Sequence, residues 1–402
     1  MIIYLPKESD DMSKKKIKIL RVANQPATVY NFCNGLFRKM SNDFEIVVIA
    51  SPGPELGMIE ERDGVRTIAV PIERPIAIRK DIISLIKLIK AFRREKPDVV
   101  HGVVGGKASF LSMIASRLLR VPIRIYTFTG MGSVYKTGVV GVVQRTADRI
   151  SCKCATHIIP ESFGVKADLE KHHITDKPLK VLGNGNIRGI DAEYYKSSPS
   201  IIAASNEIKK KIGGDFIFCF VGRIVRDKGI NELVQAFTLL NKKEPQTRLV
   251  LVGGYDNGLD SIAPETLSEI NNNSSIFSPG LQKDVRPWLQ ASNCFVLPSY
   301  REGMPNSVLE AGAMGVPSVV TDINGSREII INNKNGLIVP PKDMKSLYNA
   351  MTYMYLNKNE TEIMASNSRG LILSRFEQNY VHNCLLQYYN EILEDYKKDS
   401  YE

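Results

Sequence analysis

Long apolar runs, paired cysteines and low-complexity segments are all missing from this 402-residue sequence. No apolar run reaches the ~20 residues that a helix needs to span a bilayer. The N-terminal residues also lack the ordered charged and apolar regions of a secretion signal, and Met12 is an alternative to Met1 as the true start. These absences argue against a helical membrane protein and make a cytoplasmic protein the expectation.

The cysteines suit neither a disulfide framework nor a metal centre. Six are present without paired spacing, and Cys152 and Cys154 stand too close together for the usual zinc knuckle. The sequence also lacks a cluster of Asp and Glu residues with metal-ligand spacing. We therefore expect a reducing compartment, no bound metal and no cofactor.

The net charge of +10 is carried by the N-terminal half. Residues 1–195 hold 31 Lys and Arg against 20 Asp and Glu, whereas residues 196–402 hold 22 against 23. The most basic segment runs from Arg74 to Pro97, and its apolar residues fall at helical spacing: Ile82, Leu85, Ile86, Ile89 and Phe92. Packing on a sheet explains this helix, but the charge of the whole half indicates an anionic membrane surface. No nucleic acid is expected, because aromatic residues are not interleaved with the basic ones.

Strand-like apolar runs alternate with helical ones, which indicates parallel α/β sheets. The predicted strands of the first half are 17–23, 44–51, 67–72, 98–103, 124–130, 157–162 and 179–185. Those of the second half are 216–222, 248–254, 275–280, 294–299, 317–322 and 336–341. Since 402 residues exceed one usual core, we predict two doubly wound, Rossmann-like domains facing each other across a cleft. Their predicted bounds are 1–190 and 191–375, followed by a C-terminal helix over 376–402 that packs back toward the first domain.

One segment of the second half combines two carboxylates with a helix start. A strand leads into a turn with Gly303, Pro305 and Asn306, and then into the helical run SVLEAGAM. Glu302 precedes this helix and Glu310 lies in its second turn, so both can project into one crevice at the strand's carboxyl end. N–H groups at a helix start bind anions, and carboxylates accept hydrogen bonds from sugar hydroxyls. This pattern is expected of a nucleotide-sugar site.

A second motif, VGRIVRDKGINELVQAF, places cations in a similar position. Gly222 and Arg223 follow a strand, and Lys228 and Gly229 precede a helix. An arginine fork and a lysine point charge suit a diphosphate. The alternative is a basic loop that binds no ligand.

The spacing of Glu302 and Glu310 resembles the Glu-x7-Glu signature of retaining glycosyltransferases, and the surrounding residues resemble glycosyltransferase family 4. The resemblance implies the GT-B fold, a ribose contact for Glu310, and a sugar contact or catalytic electrostatics for Glu302. It assigns Arg223 and Lys228 to stabilisation of the leaving diphosphate. It also implies a set of further donor-binding residues: Gly222, Gly280, Leu281, Gly303, Met304, Pro305 and Asn306.

In the first half the resemblance is thinner and rests mainly on one strand end. Family members carry one or two histidines there that contact the donor sugar. His101 is the candidate in this sequence, and Val103 occupies the second position. A lone histidine at a strand end is equally explained by a structural role.

The segment YTFTGMGSVYK resembles bacterial enzymes that extend lipid-linked saccharides for capsule, O-antigen or N-glycan assembly. Gly130 and Gly132 would let backbone N–H groups approach an acceptor diphosphate. Arg124 and Lys136 would add cations nearby. A loop without a ligand remains the alternative for each of these residues.

We therefore expect a metal-independent, retaining enzyme that transfers a hexosyl or N-acetylhexosaminyl unit from a nucleotide-diphosphate sugar, with UDP favoured. The acceptor would be a hydroxyl of a polyprenyl-diphosphate-linked saccharide in surface polysaccharide biosynthesis, on the inner face of the cytoplasmic membrane. Domain closure would exclude water, and front-face attack needs no covalent nucleophile. The alternatives are a nucleotide-sugar epimerase or a phosphorylase of the same fold, and a non-catalytic basic module that binds membrane or nucleic acid. Neither class explains the two motifs of the second half together.

Overall fold

The computed structural model describes residues 16–73, 77–256, 258 and 260–399. Met1 and Met12, the two candidate starts, and Arg74 of the basic segment lie outside the described residues. The chain divides into two compact units. The first takes residues up to Tyr126 together with Cys154–Thr156, and the second takes Thr127–Lys153 and the chain from His157 onward. The domain bounds drawn from the sequence motifs (1–190, 191–375 and 376–402) stay predictions.

The apolar runs of the N-terminal half form a parallel sheet in the order β3-β2-β1-β4-β5-β6. Its strands are β1 (Ile17–Val22), β2 (Phe44–Ala50), β3 (Arg66–Ala69), β4 (Val99–Gly102), β5 (Ile123–Phe128) and β6 (His157–Pro160). The central strand β1 pairs with β2 on one side and β4 on the other, and Ile19 lies opposite both Ile46 and Val99. Helices on both faces bury such a sheet, which is why its strands read as continuous apolar runs.

The helices of this half are α1 (Pro26–Phe32), α2 (Leu36–Met40), α3 (Glu55–Asp63), α4 (Ile78–Glu95), α5 (Lys107–Leu118), α6 (Gly138–Cys154) and α7 (Phe163–Lys171). A 3₁₀ turn over Gly132–Tyr135 precedes α6. The basic helix α4 differs from its prediction, because Leu88, Ala91 and Phe92 form its buried face while Ile82 and Ile86 are exposed.

The second sheet has the order β12-β11-β10-β7-β8-β9. Its strands are β7 (Phe216–Val221), β8 (Thr247–Val252), β9 (Ile276–Gly280), β10 (Cys294–Leu297), β11 (Ser318–Thr321) and β12 (Gly336–Val339). The helices are α8 (Pro199–Ile212), α9 (Ile230–Lys243), α10 (Pro264–Asn272), α11 (Arg286–Ala291), α12 (Asn306–Ala313), α13 (Ser326–Ile329), α14 (Met344–Leu356), α15 (Lys358–Phe376) and α16 (Gln378–Asp399). Phe218, Phe237 and Phe295 are fully buried in the core between these layers.

The strand predicted over residues 179–185 is wrong. Leu179 makes only an isolated parallel bridge with Ile158. The chain then turns, because Gly183, Gly185 and Asn186 adopt positive φ angles of 54°, 85° and 66°. Such left-handed residues end a strand. The turn lies within the second unit and holds residues that reach the candidate site.

Helix α16 lies within the predicted C-terminal segment 376–402, and a break at Glu377 separates it from α15. Its packing toward the first domain stays a prediction. Tyr388 of α16 lies under the Lys180 ammonium, 4.9 Å from nitrogen to ring centre. The Tyr380 hydroxyl is a partner of the Asn184 side-chain amide at 3.3 Å. These contacts tie α16 to residues 180–184 of the same unit.

Candidate functional site

The two motifs of the second half meet because β7 and β10 are neighbours in the sheet. A Cβ on Gly229, which has φ +70°, would lie 2.0 Å from the Pro298 carbonyl oxygen. The Tyr300 N–H donates to the Asp227 carbonyl at 2.8 Å, and the Arg301 guanidinium donates to the Asp227 carboxylate at 2.8 Å. Only glycine therefore fits at position 229, and the loop after β7 packs directly on the loop after β10.

Glu302 and Lys228 form an ion pair between these loops. The Lys228 ammonium donates to Glu302 Oε1, and only 20% and 13% of the two side chains are exposed. A pair removed from water interacts more strongly than one on the surface. A ligand can therefore engage Lys228 or Glu302 only if it offers the other group a substitute partner.

Arg223 supplies a second, more accessible cation. Its side chain is 63% exposed, and its guanidinium lies 3.2 Å from the Asp256 carboxylate. An exposed ion pair contributes about 0–1 kcal/mol. The guanidinium can consequently leave Asp256 for an anionic ligand at small cost.

Arg223, Lys228 and Glu302 line one cavity of about 220 Å³. The remaining wall is formed by Thr129, Gly130, Met131, Gly132, Asp227, Arg301 and Gly303. The structure thus brings the glycine segment that was predicted to meet the acceptor to the same cavity as the residues predicted to hold the donor. All of these residues belong to the second unit.

Gly303 is required by this close approach. A Cβ on Gly303 would lie 2.5 Å from the Thr129 carbonyl oxygen and 2.9 Å from Glu161 Oε2. Gly130, with φ +115°, faces it, and a Cβ there would lie 3.5 Å from the Gly303 Cα. Any side chain at position 303 would push the two backbone segments apart and open the cavity.

Helix α12 begins directly after this turn, with Pro305 in the N-cap position. Met304 is buried, and the Asn306 side chain accepts a hydrogen bond from Asn186 at 3.1 Å. These contacts fix the helix start, whose N–H groups and dipole favour an anion. The predicted donor turn from Gly303 to Asn306 is thereby held in one conformation.

Glu310 is buried in the second turn of α12 and has two strong partners. Its Oε1 accepts from Arg188 Nη1 at 2.6 Å and from the Tyr195 hydroxyl at 2.7 Å. Burial, and then the Glu310 carboxylate, raise the pKa of Tyr195, so the phenol stays a donor. Among the described residues, Oε2 carries no hydrogen bond, and it remains able to accept from a ligand hydroxyl.

Glu161 is a buried carboxyl beneath the same turn. It follows β6 and is 4% exposed. Its backbone is fixed from both sides, because its N–H donates to the Phe128 carbonyl at 2.9 Å and its carbonyl accepts from Asn186 at 2.8 Å. Burial first, and then the negative charges of Glu302 and Glu328, raise the pKa of Glu161 to about 8. The group is therefore a neutral acid at pH 7.

His101 and Arg124 belong to the first unit and are described there alone. His101 is buried in β4, where burial and then the positive charge of Arg21 hold the pKa of its imidazole well below the usual value. The Arg124 guanidinium donates to the carbonyls of Cys154 and Val121 at 2.6 Å and 2.5 Å. Arg124 thus has a structural task, and the ligand roles of both residues stay predictions.

The other predicted contacts lie on loops of the second unit. Gly222 follows β7 and its N–H donates to the Val252 carbonyl at 3.0 Å. Gly280 ends β9 with φ +75°, and Leu281 after it is almost fully exposed. Lys136 is exposed after the 3₁₀ turn. Their ligand roles stay predictions as well.

Three residues of this site escaped the sequence reasoning. Arg188 and Tyr195 lie on either side of the domain boundary predicted between residues 190 and 191, and neither was predicted to contact a ligand. Glu161 closes a predicted strand, where a glutamate carries no signal of burial. The Gly-Asn-Gly-Asn turn before Arg188 was the available clue, since it predicts a tight bend that could return the chain to the site.

Comparison with known proteins decides the family. The model described as glycosyl transferases group 1 matches residues 202–371, and that described as glycosyl transferase 4-like domain matches residues 31–185. An Escherichia coli enzyme, the UDP-Gal:alpha-D-GlcNAc-diphosphoundecaprenol alpha-1,3-galactosyltransferase, is 30% identical over 378 aligned positions, and the alignment covers 90% of this chain and 93% of that protein. The chain belongs to the glycosyltransferases of family 4.

A second relative of this glycosyltransferase is the capsular polysaccharide biosynthesis glycosyltransferase CapM of Staphylococcus aureus. It is 28% identical over 354 residues, which cover 88% of this chain and 91% of that protein. The match extends through both halves of the chain. The predicted class of bacterial capsule and lipid-linked saccharide glycosyltransferases is confirmed.

A solved structure supports the fold of the glycosyltransferase. Anabaena HepE, crystallised in complex with UDP, superposes with a TM-score of 0.76 at 18% identity and covers 94% of this chain and 100% of its own. The predicted α/β fold of GT-B type, with two doubly wound Rossmann-like sheets, is confirmed. These matches favour the transferase over the epimerase, the phosphorylase and the non-catalytic module.

Proposed function

We propose that this glycosyltransferase moves a hexosyl or N-acetylhexosaminyl unit from a nucleotide-diphosphate sugar, with UDP favoured, to a hydroxyl of a polyprenyl-diphosphate-linked saccharide, retaining the anomeric configuration. The observation that carries the proposal is the cavity that Arg223, Lys228 and Glu302 line together with Gly303, three residues before α12 begins. The UDP-galactose-dependent relative and the UDP complex of HepE support UDP as the nucleotide.

The donor would be held at three points. The diphosphate takes Lys228 and Arg223 as partners and approaches the N–H groups at the start of α12. The ribose hydroxyls donate to Glu310 Oε2, while Arg188 and Tyr195 keep the carboxylate oriented through Oε1. Glu302, released from Lys228, then accepts from a hydroxyl of the sugar.

The leaving group determines the chemistry. Departure of the nucleotide adds negative charge to its diphosphate, and cations already aimed at that charge lower the barrier by several kcal/mol. Lys228 and Arg223 provide these cations, so the proposed reaction needs no metal or other cofactor. The acceptor hydroxyl attacks from the face that the diphosphate leaves, so the new glycosidic bond forms as the sugar–phosphate bond breaks. Its proton passes to the leaving phosphate oxygen, and the configuration is retained without a covalent nucleophile.

The acceptor would approach past Gly130 and Gly132. Both line the cavity, and Gly130 lies against Gly303. The names of two relatives specify acceptors with a diphospho-undecaprenol group. Backbone N–H groups of a glycine segment can approach such a diphosphate closely.

An anionic membrane surface is the proposed location, on the inner face of the cytoplasmic membrane. The exposed side of α4 carries four isoleucines: Ile78, Ile82, Ile83 and Ile86. Six exposed cations accompany them: Arg79, Lys80, Lys87, Lys90, Arg93 and Arg94. Apolar residues flanked by cations are typical of helices that lie in the interface of an anionic bilayer. In the described part of the chain, no helix combines the length and the apolarity needed to traverse a membrane.

A donor panel tests the reaction. Purified protein is incubated with each of several nucleotide sugars and a polyprenyl-diphosphate-linked saccharide, and both nucleoside diphosphate release and sugar transfer to lipid are measured. Transfer from one donor with a retained anomeric centre in the product is expected. If no donor gives nucleoside diphosphate release or sugar transfer, and calorimetry detects no donor binding, the proposed reaction is refuted.

Two arginine variants sharpen this test. Arg223→Ala should lower kcat/KM at least a hundredfold, because it removes a cation aimed at the leaving group. Arg226→Ala is the matched control: its side chain is similarly exposed at 59%, it pairs with Asp260 at 3.5 Å, and it does not line the cavity. Equal losses in the two variants would mean that general positive charge, rather than Arg223 itself, supports activity.

The proposed binding to an anionic membrane is tested by flotation with vesicles that contain or lack anionic phosphatidylglycerol. Binding to the anionic vesicles is expected, with a loss of at least tenfold in the double variant Ile82→Ser/Ile86→Ser. Equal binding of the variant and the original protein would show that α4 is not the membrane-contacting surface.

A further inference from the structure

A row of valines at the start of α6 is exposed to solvent. Val139 is 79% exposed, Val140 and Val142 are each 56% exposed, and Val143 is 48% exposed. A surface helix normally turns its apolar residues inward, so adjacent exposed valines mark a contact surface. We call these four residues the valine ridge.

The valine ridge is firmly attached to the segment that lines the cavity. A Cβ on Gly141 would lie 2.0 Å from the Lys136 carbonyl oxygen, so only glycine lets the preceding loop pack on α6. Arg145 donates to the Ser133 and Lys136 carbonyls at 3.0 Å and 3.2 Å. The Ser133 hydroxyl donates to Asp148 at 2.6 Å. The loop and the helix therefore form one packed piece.

This piece joins the ridge to the candidate site. Gly130 and Gly132 at its beginning line the cavity with Lys228 and Glu302. Seven residues separate Gly132 from Val139, and even a fully extended chain of that length spans no more than about 25 Å. A long amphiphile can thus have its polar end in the cavity and its apolar end on the ridge.

The charges around the ridge suit an amphiphile that carries phosphate. Residues 127–153 contain four cations: Lys136, Arg145, Arg149 and Lys153. The one carboxylate of this segment is that of Asp148, which accepts a hydrogen bond from the Ser133 hydroxyl. The segment thus presents valines and positive charge without an unengaged carboxylate.

We propose that the valine ridge docks the hydrocarbon chain of the lipid-linked acceptor while its diphosphate and saccharide enter the adjoining cavity. The inference rests on the proposed function and names the part of the acceptor that the cavity itself does not bind. A second copy of the chain is a poorer occupant, because four half-exposed valines present on the order of 300 Å², against about 800 Å² per partner in a stable dimer. Contact with the bilayer surface is already proposed for α4.

The test uses two double variants, Val139→Ser/Val140→Ser and Val142→Ser/Val143→Ser. Serine and valine have similar helix propensities, so the exchange removes methyl groups with little effect on α6. Ile363→Ser is the matched control, since Ile363 is 60% exposed and lies on a different helix, α15. Each protein is assayed with a long-chain acceptor and with a water-soluble short-chain analogue of the same saccharide diphosphate.

The double variants should raise KM for the long-chain acceptor at least tenfold. They should leave KM for the donor, and kcat/KM for the short-chain analogue, within twofold of the original protein. Equal losses with both acceptors, or no change with either, would overturn the proposal. If the double variants no longer float with acceptor-free vesicles but keep the same preference for the long-chain acceptor, the ridge contacts the bilayer instead. If they lose a dimer that the original protein shows in gel filtration, the ridge is a self-association surface.

A binding measurement separates this inference from the proposed function. Fluorescence anisotropy with a labelled polyprenyl diphosphate reports docking of the chain without any transfer. If the protein transfers no sugar but binds this probe, and the double variants bind it at least tenfold more weakly, the ridge is confirmed while the proposed reaction fails. If transfer proceeds and probe binding is unaffected by the variants, the ridge inference fails alone.

Discussion

Replacing Glu161 by glutamine should remove a pH dependence that the original protein carries in its stability. The carboxyl is buried beneath the Gly303 turn, and its pKa is raised to about 8 by burial, with Glu302 and Glu328 adding to the effect. Glutamine keeps the shape and polarity of the neutral acid but cannot ionise.

The sign follows from proton binding. In the unfolded chain a glutamate releases its proton near pH 4.3, whereas in the folded protein Glu161 keeps it to about pH 8. Between these values the folded state holds the additional proton, so stability falls as the pH rises. The slope is about 1.4 kcal/mol for each pH unit, which gives up to about 4 kcal/mol between pH 5 and pH 8. The contribution is fully present below pH 4.3 and is lost as the pH rises through 8.

Thermal unfolding at half-unit steps from pH 5 to pH 8.5 measures this difference. The midpoint of the original protein should fall relative to that of Glu161→Gln, by as much as roughly 10 °C for a unit of this size. Glu207→Gln, which removes an exposed carboxylate from α8, controls for the loss of a negative charge. Parallel curves for Glu161→Gln and the original protein would refute the reasoning, because they would show that Glu161 ionises equally in both states.

Activity offers a second measurement of the same proton. Ionised Glu161 would place another negative charge next to Glu302 and close to the proposed diphosphate. Donor KM should therefore rise above pH 8 in the original protein and stay flat in Glu161→Gln. A rise of equal size in both proteins would assign the alkaline effect to another group.

Two further changes have clear expected outcomes. Gly303→Ala should lower activity at least tenfold and stability by about 1–3 kcal/mol, because its Cβ would lie 2.5 Å from the Thr129 carbonyl oxygen. Gly370→Ala on α15 is the control: its Cβ would meet nothing within 4 Å, so this change should stabilise the protein by up to about 1 kcal/mol. Steady-state kinetics and thermal unfolding measure both, and equal effects of the two changes would contradict the steric argument. Tyr195→Phe removes one of two hydrogen bonds to Glu310 and should raise donor KM three- to tenfold with little change in kcat; a change in kcat alone would place Tyr195 in the chemical step instead.

The sequence was sufficient for the parts of the site that lie on consecutive residues. The family resemblance assigned Lys228 and Glu302 to one donor site, and the structure brings the two side chains together because β7 and β10 are neighbours in the sheet. Glycine positions in these loops were informative as well, because they mark places where another backbone segment approaches closely. Gly229 and Gly303 are the residues whose Cβ atoms would overlap the facing backbone.

Contacts between segments that lie far apart along the chain could not be predicted from the sequence. Arg188 and Tyr195 reach Glu310 across 122 and 115 residues, and no local pattern encodes such a pairing. Helix α4 shows a different limit, because its sequence offers two apolar stripes at helical spacing. The stripe with Leu88 and Phe92 packs on the protein, while Ile82 and Ile86 stay exposed, and only tertiary packing chooses between them.

The neutral state of Glu161 bears on how the cavity can accept a diphosphate at all. Without ligand, Lys228 neutralises Glu302. A bound diphosphate would compete for Lys228 and leave Glu302 charged, so an ionised Glu161 would bring a second carboxylate close to the same phosphate. Since like charges at short range in a partly dry site repel strongly, keeping a proton on Glu161 lowers the cost of donor binding. We therefore expect Glu161→Gln to bind UDP as tightly as the original protein at pH 7, and more tightly above pH 8; weaker binding at both values, measured by calorimetry, would show that the cavity depends on the carboxylic acid as a hydrogen-bond donor instead.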